Sequence, residues 1–302
     1  MKRLLKWNFN RKFGLEYEFN NDWSILSLMS DVVEEATGQY AEIRNYEHTY
    51  ENYDLWVCKT DSSCGVELVS PILNGPSKLK VAAEILLKLE DNAFDIDETC
   101  GQHVHVEIAD FTEKQKGIMA SYWMKIERFI VNGTPAHRRN NSYCTPITQK
   151  HDYVNANCAY EPEEVLRRMA SGRDAINFGP PHSSRKTIEF RFGEMTFDPE
   201  VIKNRVRFLI WFVEMCKILP APSNLNWMTP KQVLRTFNLW EDPKSTIKYQ
   251  YSPAVQSMRK WLLSRLIEFA PEAFKKDTDR CKSMLDEIEN AEVYSSLEEE
   301  CA

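Results

Sequence analysis

The 302 residues predict an α+β protein: an antiparallel sheet with one polar, ligand-rich face and helices packed on the other, followed by a helical C-terminal appendage. Three observations predict it. Four segments alternate apolar and charged residues with the two-residue period of a strand. Segments with apolar residues at helical spacing separate them. A proline-rich run, Leu219-Pro220-Ala221-Pro222-Ser223-Asn224, then marks a boundary beyond which only helical patterns follow. The expected division is a main domain, 1–219, and an appendage, 220–302.

Residues 12–19 alternate as a strand, with Phe13, Leu15, Tyr17 and Phe19 on one face and Glu16 and Glu18 on the other. Two carboxylates side by side on a strand repel each other unless solvent or a cation lies between them. Residues 22–38 have helical spacing, with Gly38 as C-cap. Residues 40–53 show no period and read as a loop or weak hairpin. A short strand at 55–58, a turn at 59–63 and a strand at 65–70 stopped by Pro71 make a hairpin with Glu67 among apolar neighbours. Residues 77–89 form an amphipathic helix. The acidic loop 91–98 leads into Cys100-Gly101-Gln102-His103-Val104-His105-Val106-Glu107-Ile108, where His103, His105 and Glu107 share one strand face. Thr112 caps a helix to about Val131, ended by Asn132-Gly133-Thr134-Pro135.

Residues 136–143 are basic and aperiodic, and Arg138, Arg139 and Asn141 in such a loop suit an anion. A helix at 163–169, a strand at 175–178 and a charged strand at 184–194 follow, the last with Glu189 and Arg191 on one face. Asp198 caps a strongly apolar helix over 199–219. Helical segments lie at 230–239, 253–269 and 277–296.

Hydrophobic residues make up 43% and charged residues 27%, which excludes a disordered chain. The net charge of -7 provides no global attraction to nucleic acid or anionic lipid, so a nucleic-acid role is not expected. No apolar run approaches the roughly 18–20 residues of a spanning helix, and the first residues lack the apolar core of a signal peptide. The expectation is a cytoplasmic protein with no membrane partner. Eight cysteines without a C-x-x-C pair read as reduced packing thiols.

Each charged segment has a plain structural explanation. The histidine strand could be half exposed with solvated imidazoles, the Glu16/Glu18 face a solvated edge, the 136–143 run a solvated loop. Glu189 and Arg191 could be a same-face ion pair worth under about 1 kcal/mol. Four strands repeating the same oddity point instead to one shared site. In a single sheet, Glu16, Glu18, Glu67, His103, His105, Glu189 and Arg191 would line one concave face. Carboxylates with an imidazole suit Mg²⁺ or Mn²⁺; zinc would call for more His or Cys. Arginine beside divalent ions is what a transferring phosphoryl group requires.

The order Phe-Gly-Leu-Glu-Tyr-Glu-Phe, then Asp61-x-Ser63 with Gly-Val-Glu-Leu-Val-Ser-Pro, then Cys-Gly-Gln-His-Val-His-Val, then Thr-Ile-Glu-Phe-Arg-Phe resembles the amidoligase family. That family belongs to the carboxylate–amine ligase superfamily of glutamine synthetase and glutamate–cysteine ligase. The resemblance covers roughly residues 11–215. It implies a half-barrel-like active-site face similar to the glutamine synthetase catalytic domain, and an ATP-dependent ligase acting on small-molecule or peptide carboxylates and amines. By the same resemblance Glu16, Glu18, Glu67, His103 and Glu189 are metal ligands for Mg²⁺ or Mn²⁺. His105, Arg138, Arg139, Asn141 and Arg185 lie on the nucleotide or substrate side, Arg191 stabilises the transferring phosphoryl group, and Asp61 or Glu194 handles the amine. Two other readings of the residues stay open: a metal-dependent hydrolase, since His-x-His strands also serve metallohydrolases, and an inactive binding protein on a ligase fold.

Overall fold

The computed structural model describes residues 9–44, 54–139, 141–150, 173–178, 186–219, 228–240 and 253–300. Seven strands form one sheet: β1 (Phe13–Phe19), β2 (Ala41–Arg44), β3 (Trp56–Asp61), β4 (Gly65–Val69), β5 (Gly101–Glu107), β6 (Ile176–Asn177) and β7 (Thr187–Glu194). Their spatial order is β2-β3-β4-β1-β5-β7-β6. The helices are α1 (Leu26–Thr37), α2 (Gly75–Asp91), α3 (Glu113–Val131), α4 (Ala136–Arg139), α5 (Ile147–Lys150), α6 (Pro199–Ile218), α7 (Pro230–Thr236), α8 (Pro253–Phe269) and α9 (Lys275–Glu300).

Strand alternation decides which face is covered. Phe13, Leu15, Tyr17 and Phe19 of β1, with Val104 and Val106 of β5 and Ile188, Phe190 and Phe192 of β7, are buried in the core. The Tyr17 hydroxyl donates to the Ala82 carbonyl of α2 at 3.0 Å. Trp123 of α3 packs its ring against Phe190, Phe192 and Phe212, joining α3, β7 and α6. Helix starts follow their caps. The Thr112 side chain accepts from Gln115 N in a capping box. Asp198 accepts from Glu200 N at 2.8 Å, a contact worth about 1 kcal/mol. Gly38 ends α1 at φ 67, a left-handed conformation that a side chain rarely adopts.

Several sequence expectations change. The sheet is mixed rather than wholly antiparallel, because 41–44, read as loop or weak hairpin, forms β2 and pairs parallel with β3. Its four residues are too few to show a period. Strand β3 runs on to Asp61, so Lys59 lies in the sheet rather than in a turn. The 136–143 run contains the short helix α4. The expected helix at 163–169 lies outside the described residues, as do Arg185, His48, His151 and His182. No helix among the described residues is long and apolar enough to cross a membrane. The cysteines at 58, 64, 100, 144, 216 and 281 are free and buried. Residues from both sides of the 219/220 boundary share one hydrophobic cluster, including Phe212, Phe237, Met258 and Leu263.

The start of α5 hangs on a buried carboxylate of α3. Glu127 accepts from Trp123 Nε1 at 2.9 Å, Ile147 N at 2.9 Å and Thr148 N at 2.7 Å. Burial pushes its carboxyl above the usual range against these three donors. Glu127→Ala would orphan all three, and a loss of about 3 kcal/mol in urea-unfolding stability is expected.

Candidate active site

The polar face of the sheet carries a row of charged side chains whose neighbours are set by register. Glu67 of β4 lies opposite Lys59 of β3 on one side and Glu18 of β1 on the other. Glu16 of β1 lies opposite His103 of β5. His105 lies opposite Glu189 of β7, and Glu189 opposite Asn177 of β6. The alternation that buries the apolar residues therefore delivers eight polar side chains from six strands to one line.

Glu16 sits at the centre. Its Oε2 is 3.0 Å from His103 Nδ1 and its Oε1 is 3.1 Å from His105 Nε2. His103 Nε2 is 3.4 Å from Glu18 Oε1, and Glu189 Oε1 is 3.8 Å from His103 and 4.0 Å from His105. Arg191 Nη1 donates to Glu189 Oε1 at 2.5 Å and lies 3.4 Å from His103 Nδ1. Asn177 Nδ2 donates to the other Glu189 oxygen at 2.7 Å. Lys59 Nζ meets Glu67 Oε2 at 2.5 Å.

Electrostatics follow from this crowding. Burial would raise the Glu16 carboxyl, yet His105 and His103 hold it well below the usual carboxylate range. Burial likewise opposes ionisation of Glu189, but His105 and Arg191 hold it low. Burial works against the Arg191 charge, and Glu189 and Glu16 more than offset it. Glu67 goes the other way: burial and the Glu16 and Glu18 charges push it well above the usual range despite Lys59. The row thus holds more buried carboxylate than its cations neutralise, the condition under which a bound divalent ion is favourable.

The donor atoms fit such an ion. Glu16, His105 and Glu189 offer ligand atoms within 4.8 Å of one another, and so do Glu16, Glu67 and His103. Glu16 belongs to both groups. Glu18 belongs to a third, with Asp61 and Cys64. His105, assigned to nucleotide or substrate by resemblance, is placed as well for a metal as His103.

The other sequence-selected residues stand around this row. Asp61 is half-buried at the end of β3; burial raises its carboxyl, but the Ser63 hydroxyl and backbone N–H hold it low. Arg138, 2% exposed, donates through Nη2 to the Arg191 carbonyl at 2.8 Å. Arg139 is turned elsewhere: Nη1 donates to the carbonyls of Thr134 at 2.9 Å and Phe269 at 2.6 Å. Asn141 Oδ1 accepts from Tyr143 N at 2.8 Å, shaping the turn whose Tyr143 carbonyl accepts from Arg191 Nε at 3.2 Å. Glu194 faces the helices, ion-paired with Arg205 and Arg265. Glu107 meets Lys12 at 4.0 Å, away from the row.

A family model described as "Putative amidoligase enzyme" matches residues 10–213, more than half of the chain. The chain belongs to this amidoligase family. Every residue of the row falls inside the match. The chain is also similar to the crystal structure of the complex between the prokaryotic ubiquitin-like protein Pup and its ligase PafA. There the TM-score is 0.43 at 14% identity, covering 89% of this chain and 66% of that one. For a bifunctional glutathione synthetase from Pasteurella multocida the TM-score is 0.36 at 11% identity, covering 92% of this chain and 47% of that one. The chain thus spans less than two thirds of the length of either. No curated protein matches it in sequence.

The amidoligase motifs leave out Lys59 and Asn177 and give no role to Thr187, whose hydroxyl lies 3.2 Å from His105 Nδ1. Lys59 had a signal: Val57, Lys59 and Asp61 continue the alternation of β3. Gly101 in the Cys-Gly-Gln-His motif is also explained. Its N–H donates to Glu18 Oε2 at 2.5 Å, and a Cβ there would lie 2.7 Å from Arg138 Nη2 and 3.1 Å from Glu18 Oε2. Gly101→Ala is expected to cost about 1–3 kcal/mol in thermal or urea unfolding, because the buried guanidinium cannot move aside freely.

Proposed function

We propose that the protein is an ATP-dependent carboxylate–amine ligase that makes an amide or isopeptide bond through an acyl phosphate. The observation carrying this reading is the gathering of Glu16, Glu67, His103, His105, Glu189 and Arg191 on one sheet face in a chain of the amidoligase family. Residues 1–219 carry the reacting groups and 220–302 support them. The carboxylate and amine are small molecules or peptides.

Magnesium or manganese fits the carboxylate and imidazole donors; Glu16 with Glu67 and His103, and Glu16 with His105 and Glu189, would hold it, Glu18 standing beside them. When bound, such an ion offsets the charge of the nucleotide phosphates. A substrate carboxylate oxygen attacks the γ-phosphorus, the bond to the β,γ-bridging oxygen breaks, and ADP departs. Arg191, beside His103 Nδ1 and held by Glu189, would offset the charge on the equatorial oxygens of the transferring group. The amine nitrogen then attacks the acyl carbon, phosphate leaves with the bridging oxygen, and nitrogen gives up a proton. Asp61, held ionised, suits keeping an ammonium group in place better than taking its proton, since a carboxylate of low pKa is a weak base. Arg138 adds positive charge at the end of the row beside Glu18. Asn141 shapes the turn over Arg191, Arg139 ties the turn at 132–135 to α8, and Arg185 is assigned to the nucleotide.

The test is ADP and phosphate release with Mg²⁺, ATP and pooled amines and carboxylates. Release that needs both pools is expected. Turnover of a substrate without ATP would favour the hydrolase.

A further inference from the structure

A side chain at residue 193 would have to displace a buried guanidinium, and that guanidinium leads away from the row to the C-terminal helices. A Cβ on Gly193 would lie 2.7 Å from Arg205 Nη1 and 2.9 Å from its Nε and Cζ. Arg205, from α6, crosses β7 at this point, 1% exposed. Its Nη1 donates to Gln102 Oε1 at 2.6 Å and to the Glu194 carbonyl at 2.8 Å, while Nη2 meets Glu194 Oε1 at 2.8 Å. Gln102 and Gly193 are paired, and the register shifts just beyond them, so that Arg191 and Phe192 of β7 face His103 alone. Such a bulge re-aims a side chain. Here it brings the Arg191 guanidinium to 3.4 Å from His103 Nδ1.

The same Glu194 oxygen takes a second guanidinium, Arg265 of α8. Arg265 Nε also donates to the Gly133 carbonyl at 3.2 Å, and Phe269, one turn on, accepts from Arg139 through its carbonyl. Helix α8 therefore grips β7 behind the bulge and the turn that leads to Arg138. It does so from outside the residues matched to the family, 10–213. Stability alone is a poor account of this network. Glu194 Oε2, Gln102 Nε2 and Arg205 Nε are buried with no hydrogen-bond partner among the described residues, and apolar packing would cost less.

We infer that Arg205, Glu194 and Arg265 are positioning residues that pin the β5/β7 bulge, and through it the Arg191–His103 pair, so that helix α8 completes the active site. This goes beyond the ligase reading and rests on it for the role of Arg191 and His103.

The test compares Arg265→Met and Arg265→Lys in the full chain. Lys231→Met serves as control, breaking a tail ion pair with Asp277 remote from the row. Amide hydrogen exchange over 99–107 and 187–195 is read first, since it needs no substrate. At least tenfold faster exchange there in Arg265→Met is expected, partial recovery in Arg265→Lys, and no change in Lys231→Met. Mg²⁺-dependent binding of an ATP analogue should weaken at least tenfold in Arg265→Met under conditions where circular dichroism shows it folded, and less than twofold in Lys231→Met. If Arg265→Met does not fold, Arg265→Lys carries the test by the same two readings. Unchanged exchange and binding in a folded Arg265 variant, or equal losses in Lys231→Met, would overturn the inference. Faster exchange at the bulge in a protein whose wild type binds no nucleotide would uphold the pinning and overturn the ligase reading instead.

Discussion

Glu189→Gln should lose Mn²⁺ binding by about 100-fold or more, measured by paramagnetic titration, while remaining folded. A Gln has the shape of Glu and can still accept from Asn177 Nδ2, which now bonds Glu189 Oε2. It cannot supply the charge that Arg191 and the two histidines face. Loss of a residue merely supporting a metal ligand costs 10–100-fold in affinity, so loss of a ligand itself belongs at or above that range. The fold should persist because the apolar partners of β7 lie on the opposite face, at Ile188, Phe190 and Phe192. An unaffected Mn²⁺ affinity would remove Glu189 from the site.

Arg191→Met should lower the rate of ATP-dependent turnover by about 10²–10³-fold with a much smaller change in nucleotide affinity. In the proposed reaction Arg191 acts on charge that grows only as the phosphoryl group transfers. Removing it should therefore split the rate from the binding. Arg191→Lys should recover little. An ammonium cannot reproduce a fork that reaches Glu189 through Nη1 and the Tyr143 carbonyl through Nε together. A fall in nucleotide affinity as large as the fall in rate would place Arg191 in ground-state binding.

How far the sequence carries this account depends on what alternation can encode. The period of two in 13–19, 101–107 and 187–192 sorts core from polar face, because the polar residues are interleaved with Phe, Leu, Val and Ile that have one buried layer to fill; the bulge opposite His103 breaks the alternation beyond Phe192. Helix starts at Thr112 and Asp198 were legible from their caps. β2 was not, since its position depends on a parallel neighbour rather than on its own four residues. Lys59 was missed because the hairpin was closed too early. The turn falls after Asp61, where Ser63 N donates to the Asp61 carboxylate at 2.7 Å. Arg139 illustrates the opposite limit. Two adjacent arginines suggest an anion site from composition, but only three-dimensional contacts separate Arg138, beside the row, from Arg139, bonded to backbone carbonyls of the turn and of α8. Arg205 and Arg265 carried no sequence signal, lying among ordinary helical residues.

The central claim is that the polar face of the sheet is a magnesium–nucleotide site. Calorimetric titration of the wild-type chain with a non-hydrolysable ATP analogue, with Mg²⁺ and then with excess EDTA, tests it most directly, because it needs no knowledge of the carboxylate or the amine. Saturable binding that is present with Mg²⁺ and lost with EDTA is the predicted result; no binding, or binding indifferent to the metal, would contradict it.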